Sequence, residues 1–227
     1  MSVLCREKWA REDSRNATIS KASEDTAAVY APNYKAIKRA SRQTGAVSRK
    51  TAEKIDDAIE KSNIYSFEPN DLTLARGFAE VFGHIVRYVA DAERFYVYDG
   101  KRWVCDSKAS TSVARYVKIY YERLIACAPR VLHDKALSGY LDAVLAYGSY
   151  SKREHLLKDA RSELVSHMAD FDRDLDLLNV RNRTLDLRTL ELRPHDPADR
   201  ITRMADVDFD PTADCDEWKR FLLESLE

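Results

Sequence analysis

Between Phe171 and Pro211 the chain reads FDRDLDLLNVRNRTLDLRTLELRPHDPADRITRMADVDFDP, a train of apolar pulses too short for helices. Leu177–Val180, Thr184–Leu187, Leu190–Leu192, Ile201–Met204 and Val207–Phe209 are separated by Asn, Asp and Pro. Such runs read as strands joined by tight turns. Asn182-Arg183 and Arg188-Thr189 are the expected reversals. Pro194 and Pro197 bound a loop, because proline has no N–H to give a central strand. The segment is expected to fold as a small antiparallel meander.

Upstream, Phe95–Val104 within RFYVY-DG-KRWVC reads as a β-hairpin around Asp99-Gly100. Pairing Tyr98 with Lys101 would set Tyr96 opposite Trp103, with Tyr96, Tyr98 and Trp103 on one face. That patch is either cross-strand core packing or, with Arg94, Lys101 and Arg102 nearby, a stacking platform for single-stranded nucleic acid. Ile85–Val89 reads as a further strand. Asn70 or Asp71 caps a helix carrying Leu72, Ala75, Phe78, Ala79 and Phe82 and closed by Gly83. Three more amphipathic helices follow. Ser110–Ala128, ending at Pro129, carries Val113, Val117, Tyr120, Tyr121, Leu124 and Ala128. Leu132–Tyr147 carries Leu137, Tyr140, Leu141, Val144 and Leu145. Ser151–Val165 carries Leu156, Leu157, Ala160 and Leu164. These stripes are core.

The net charge of −1 conceals an uneven distribution. Between Asn33 and Lys54, Lys35, Lys38, Arg39, Arg42, Arg49, Lys50 and Lys54 face only Glu53, whereas from Asp170 onward sixteen acidic residues meet nine basic ones. Such asymmetry suggests a basic arm that meets a partner. In this arm Gly45 breaks a helix, Ser48 can cap a new one, and Ile55 and Ile59 lie one turn apart. The outline is that of a helix-turn-helix whose second helix would read DNA through Ser48, Arg49, Lys50 and Thr51. The same charges would equally suit non-specific backbone contact or a solvated face. Residues 1–32 are polar and irregular. No apolar run approaches the roughly 20 residues of a membrane span, and MSVLCREKWARED has no signal-peptide core. A cytoplasmic chain is expected, without membrane partners.

LLNVRNRTLDLRTLELRPHDPADRIT, followed by VDFDPTADCDEWKRFL, resembles the phage and plasmid primase–helicases. More loosely, the resemblance reaches back through DLTLARGFAEVFGHIVRYVADAERFYVYDGKRWVCD, so that it spans roughly residues 70 to 227. In that family a domain of this kind precedes a superfamily-three helicase motor, and the poxvirus primase–helicase is a distant relative. The family usually has Asn-Gly at Asn182-Arg183 and Thr-Gly at Thr189-Leu190. These turns must therefore tolerate side chains, with Asn182 itself expected in the left-handed geometry. The resemblance also implies that Trp103 is a packing residue.

Chemistry has few footholds. No glycine-rich loop matches G-x-x-x-x-G-K-[ST], so the chain has no P-loop. Asp170, Asp172, Asp174 and Asp176 alternate, but Leu175 and Arg181 stand where a calcium loop needs glycine and glutamate. The cysteines and histidines show no zinc spacing. Asp206 and Asp208 at strand spacing would suit two catalytic metals, with His195 and Asp186 as their partners. The resemblance instead reads VDFDPTA as a linker into the motor.

The expected fold is α+β: a basic helical arm over 1–66, then a domain over 67–213 with a helical layer, a hairpin sheet and a meander, and a helix over 214–227. No catalytic or metal site is assigned. The expected function is a non-catalytic, collar-like accessory domain that supports oligomerisation and guides DNA. Its candidate DNA contacts are Lys35, Lys38, Arg39, Arg42, Ser48, Arg49, Lys50 and Lys54. A C-terminal stripe of Trp218, Phe221, Leu222 and Leu226 is the candidate docking face for a helicase motor, a split-gene partner or another copy. ATP and Mg are implied only for the motor. The alternatives are a helix-turn-helix regulator and a metal-dependent primase using Asp206 and Asp208.

Overall fold

The structure is a computed structural model and describes residues 49–107, 109–213 and 216–226. It divides into two compact units. The first takes its described residues from 49–97 and 105–166, the second from 98–104 and 167–226.

In the first unit, helix α1 (Arg49–Lys61) buries Ala52, Ile55 and Ile59. Helix α2 (Asp71–Phe82) starts from a reciprocal cap: Thr73 N donates to Asn70 Oδ1 (2.9 Å) and Asn70 N to Thr73 Oγ1 (3.0 Å). Such a cap satisfies two of the donors that a helix start leaves open. Its buried face is Leu74, Ala75, Phe78, Val81 and Phe82, while Leu72 is exposed. The stripe is thus rotated from the expected one, because the aromatic cluster of Phe78, Phe82 and Tyr120 sets the inward direction. Strand β1 (Val86–Val89) follows and pairs antiparallel with β2 (Arg94–Tyr98), Tyr88 opposite Phe95.

Strand β3 (Trp103–Cys105) completes the hairpin. Asp99 N bonds Arg102 O (3.0 Å) and Asp106 N bonds Phe95 O (2.8 Å). Gly100 and Lys101 therefore form the turn, and Tyr98, not Tyr96, is opposite Trp103. The reason is local. Gly100 takes a positive φ of 103°, and Asp99 Oδ1 accepts the N–H groups of Lys101 (2.8 Å) and Arg102 (2.9 Å). An Asx turn of this kind fixes the register two residues further on than Asp99-Gly100 at the tip would.

Helix α3 (Thr111–Val131) is capped by buried Asp106, whose carboxylate accepts Ser112 N (3.2 Å) and Val113 N (3.0 Å). It runs through Pro129 instead of stopping there. The ring removes one donor in the last turn, and Leu132 N still reaches Ala128 O at 2.8 Å. Helices α4 (Asp134–Leu145) and α5 (Tyr150–Glu163) bury the residues their spacing marks, among them Leu137, Leu141, Val144, Leu156 and Ala160. After α5 a short strand β4 (Val165–Ser166), which takes up Val165 at the end of the expected helix, pairs parallel with β1. The sheet order is β3-β2-β1-β4, so the sheet is mixed.

The second unit holds the meander: β5 (Leu177–Asn179), β6 (Thr184–Asp186) and β7 (Glu191–Arg193), antiparallel, with Leu178, Leu185 and Leu192 abreast. The first reversal centres on Arg181-Asn182, closed by Val180 N to Arg183 O (3.0 Å). Asn182 is not left-handed. Its side chain instead clamps Phe209, donating Nδ2 to Phe209 O (3.0 Å) and accepting from Phe209 N (3.0 Å). At the second reversal Leu190 is left-handed, with φ 57°. Ile201–Met204 and Val207–Phe209 do not form strands. The stretch makes single bonds instead: Ile201 O accepts Trp103 N of β3, Ala205 N donates to Asn179 O of β5, and Val207 O accepts Arg181 N, each 2.8 Å. The intervening donors go to side chains, such as Thr202 N to Asp172 Oδ1 (2.7 Å), so no continuous ladder can form. Helix α6 (Asp216–Leu226) is the last described element.

Leu190 is 74% exposed, so its side chain adds little packing to offset its backbone strain. A left-handed non-glycine residue costs roughly 1–2 kcal/mol, part of which glycine returns as extra freedom in the unfolded chain. Leu190→Gly should stabilise the protein by about 0.5 kcal/mol or more in urea denaturation. A fall in the midpoint would contradict this account.

Candidate functional surfaces

Of the sequence-predicted DNA contacts, Lys35, Lys38, Arg39, Arg42 and Ser48 lie outside the described residues. Arg49 and Lys50 open α1, and Lys54 follows one turn later, exposed. Lys54 acts together with a second cation. Burial lowers the pKa of His84, and the charges of Arg87 and Lys54 lower it further.

The inward face of α1 carries a carboxylate. Asp56 is buried and accepts a two-pronged contact from buried Arg123 of α3, Nε to Oδ1 at 2.5 Å and Nη2 to Oδ2. Arg130 adds ion pairs to Asp56 (3.5 Å) and Glu60 (2.8 Å). Burial pulls the Arg123 guanidinium down, and the hydrogen bonds and charge of Asp56 more than reverse this. Burial, then Asp56, pushes the neighbouring Cys127 thiol up to about 12. A thiol held protonated is no nucleophile, so the cluster is a clamp between α1 and α3. The sequence signal for it was position: Asp56 sits between Ile55 and Ile59 on the apolar face.

In the second unit Trp103 is only 2% exposed. It packs on Phe171 (5.7 Å between centroids) and Tyr98 (6.0 Å), and its Nε1 donates to Pro197 O at 2.9 Å. A ring so enclosed cannot stack on a base, which takes Trp103 out of the platform reading and leaves it as packing, while Tyr96 and Tyr98 are half-buried. Asn179 Nδ2 donates to Lys101 O (2.8 Å), Thr184 Oγ1 donates to Asn179 Oδ1 (2.6 Å), and His195 Nδ1 lies 3.1 Å from Thr184 Oγ1. With the threonine proton committed to Asn179, His195 Nδ1 must carry its own proton and donate it. This relay ties β5, β6 and the loop after β7 together.

Of the carboxylates expected to hold metal, Asp186 and Asp206 meet arginines. Asp186 Oδ1 accepts the backbone N–H of Arg188 (2.9 Å) and its Nε (3.3 Å), and these bonds hold the Asp186 carboxyl below its ordinary pKa, while Arg188 Nη2 bonds Asp174 Oδ2 (2.8 Å). Asp206 and Asp208 do not lie on a strand. Asp206 is almost wholly exposed and 3.5 Å from Arg181. The strand spacing on which the primase alternative rests is therefore not present, because the Asn182 clamp and its neighbouring bonds draw this segment into an irregular path. Among the described residues no group of three or more His, Cys, Asp or Glu could hold a metal ion. None of the described helices is long and apolar enough to cross a membrane.

On α6, Phe221 is 55% exposed and Leu223 is 70% exposed. Trp218, Leu222 and Leu226 lie on the same helix, but their side chains are outside the described set.

Together these features define an α+β domain whose last described helix carries exposed apolar side chains. Residues 75–227 match the protein family described as "D5 N terminal like", the family of primase–helicase N-terminal domains. The match covers about two thirds of the chain, and the chain belongs to that family. No curated protein matches it.

Removing one partner of a buried ion pair strands the other charge, typically at a cost of about 3–5 kcal/mol. Asp56→Ala should destabilise the protein by roughly that amount, while the apolar pair Asp56→Leu with Arg123→Met should recover most of it. Denaturant midpoints of the single and double variants measure both. A single variant as stable as the wild type would refute the clamp.

Proposed function

We propose that this chain is the non-catalytic accessory domain of a phage or plasmid DNA-replication primase–helicase. It acts in the cytoplasm, supports oligomerisation in a collar-like role, and guides DNA to an ATP-driven helicase motor. The observation that carries this reading is membership of the primase–helicase N-terminal family over residues 75–227. The exposed Phe221 and Leu223 on α6 support it, since apolar side chains in water gain by association. Trp218, Phe221, Leu222 and Leu226 form the docking stripe in this reading, and ATP and Mg serve the motor alone. DNA is met by the basic residues from Lys35 to Lys54, through the phosphate backbone.

Two experiments test it. Deleting residues 214–227 should leave the thermal midpoint nearly unchanged and reduce self-association or motor binding in sedimentation. Cooperative unfolding of that deletion would place the helix in the core and end the docking reading. Arg49→Glu with Lys50→Glu should weaken DNA binding by about tenfold or more at low salt, with affinity falling steeply as salt rises. Binding indifferent to both salt and the double change would remove the basic cluster, and a strong preference for one duplex sequence would replace the accessory role with that of a regulator.

A further inference from the structure

The first unit contains a cleft of about 310 Å³ between α3, α5 and the turn before α3. Its floor includes Val117 and Leu157. Its walls bring together Lys118 from α3 with Arg153, Lys158 and Arg161 from α5, against the single carboxylate of Glu154. Sequence spacing alone does not unite these cations, because Lys118 is separated from the others by the whole of α4. Glu154, Leu157, Lys158 and Arg161 follow one another at three, one and three residues, so a single face of α5 supplies most of one wall.

Two of the four cations are held in place. Arg153 Nη1 donates to Tyr147 O (3.2 Å) and Gly148 O, which fixes the base of its fork. The Arg161 guanidinium lies over the Tyr88 ring, 5.1 Å from its centroid, a cation–π contact that uses the ring face and leaves N–H groups for oxygen acceptors. Lys118 and Lys158 are exposed and make no ion pair among the described residues. At the rim Tyr150 is 70% exposed, and its hydroxyl donates to Glu154 Oε1 at 2.5 Å. The ring is thus anchored at its tip with its faces open to solvent.

Partly preoriented guanidinium forks, unpaired ammonium groups and an open aromatic ring in one concave site match the needs of single-stranded nucleic acid. Cations track the phosphates and an aromatic face stacks a base. A duplex is too broad and convex to enter a cleft of this volume. An acidic peptide would use the cations but would have no use for the exposed tyrosine face. From this we infer that the α3–α5 cleft is a binding site for a single strand of nucleic acid, with Lys118, Arg153, Lys158 and Arg161 on its phosphates and Tyr150 under a base. The site deepens the DNA-guiding reading above and rests on it only for the ligand being DNA.

The test is fluorescence anisotropy of the full chain with a labelled oligothymidylate of about 12 nucleotides. Lys118→Glu with Lys158→Glu should weaken binding by about tenfold or more near 50 mM salt, and lower the log–log salt slope by about 1.4 for two lost phosphate contacts. Tyr150→Ala should weaken it about fivefold or more, while Tyr150→Phe keeps the ring and most of the affinity. Glu154→Gln should tighten it. All these positions are at the surface, and thermal midpoints close to that of the wild type confirm that each variant is folded. The inference fails if the lysine pair and Tyr150→Ala both leave affinity unchanged. It also fails if a duplex of the same length binds better, or if polyglutamate or free ATP competes as well as unlabelled strand. Arg49→Glu with Lys50→Glu, measured alongside, separates the two DNA contacts: loss there with none at Lys118 and Lys158 overturns the cleft and leaves the N-terminal cluster standing. Sedimentation of the 214–227 deletion reports on the accessory role independently of either.

Discussion

A carboxylate that leaves water must meet its counter-charge at hydrogen-bonding distance, or folding loses several kcal/mol. The first unit is arranged around that requirement. Asp56 enters the interior on the same face of α1 as Ile55 and Ile59, and the geometry that satisfies it is the planar fork of Arg123 halfway along α3. Once that pair is set, the register of α1 against α3 is fixed. Tyr65 then reaches Leu124 O (3.0 Å) and Arg130 reaches Glu60 (2.8 Å). Apolar contacts alone would permit sliding between helices, whereas a two-pronged ion pair does not. The close approach of α2 to α3 adds a steric limit. A Cβ on Gly77 would lie 2.2 Å from Ile64 Cδ1 and 2.3 Å from the Tyr120 hydroxyl, so only glycine lets Tyr120 into the aromatic cluster.

The second unit solves a different problem. Strands of three residues bury too little to hold themselves together. Their stability comes from side chains that bond backbone groups across loops: Asn179 to Lys101, Asn182 to Phe209, Asp172 to Thr202, and Trp103 to Pro197. Burial and the charges of Asp196, Asp99 and Asp199 push the Tyr98 phenol up to about 12, so it packs beside Trp103 as a neutral ring. The acidic composition of this segment is largely paired at its surface. Arg188 gathers Asp174, Asp176 and Asp186, Arg193 takes Asp199 at 2.7 Å, and Arg181 takes Asp206. An excess of aspartates therefore becomes a set of ion pairs and turn anchors, not a cation site.

The two units thus carry charge in different ways. In the second, arginines are spent on neighbouring aspartates. In the first, Lys118 and Lys158 stand beside two arginines that are held by carbonyls and an aromatic ring. Unpaired cations in a concave site offer a phosphate more than the same cations scattered over a convex surface, because the low-dielectric walls concentrate their field. A near-neutral total charge conveys none of this.

Periodicity determined much of the fold before any packing was known. The helical stripes of α3, α4 and α5, the Asn70 cap, the hairpin and the three strands of the meander all follow from spacing and turn chemistry, which act over a few residues. What spacing could not decide were the choices made by partners distant in sequence. Trp103 lies beside Tyr98 because a turn carboxylate shifts the hairpin by two residues. β4 is a strand because β1 offers it a free edge. Ile201–Phe209 is irregular because Asn182 and Asp172 take its donors. Family likeness placed a glycine at two turns, yet only the structure separates them: Leu190 has the left-handed backbone, while Asn182 serves as a clamp. The sequence by itself thus determined the main helices, the hairpin, the three meander strands and the absence of a P-loop motif. The tertiary structure decided which polar residues are buried, which carboxylates are neutralised, and which cations meet across a cleft, since each of those depends on pairs that only folding brings together.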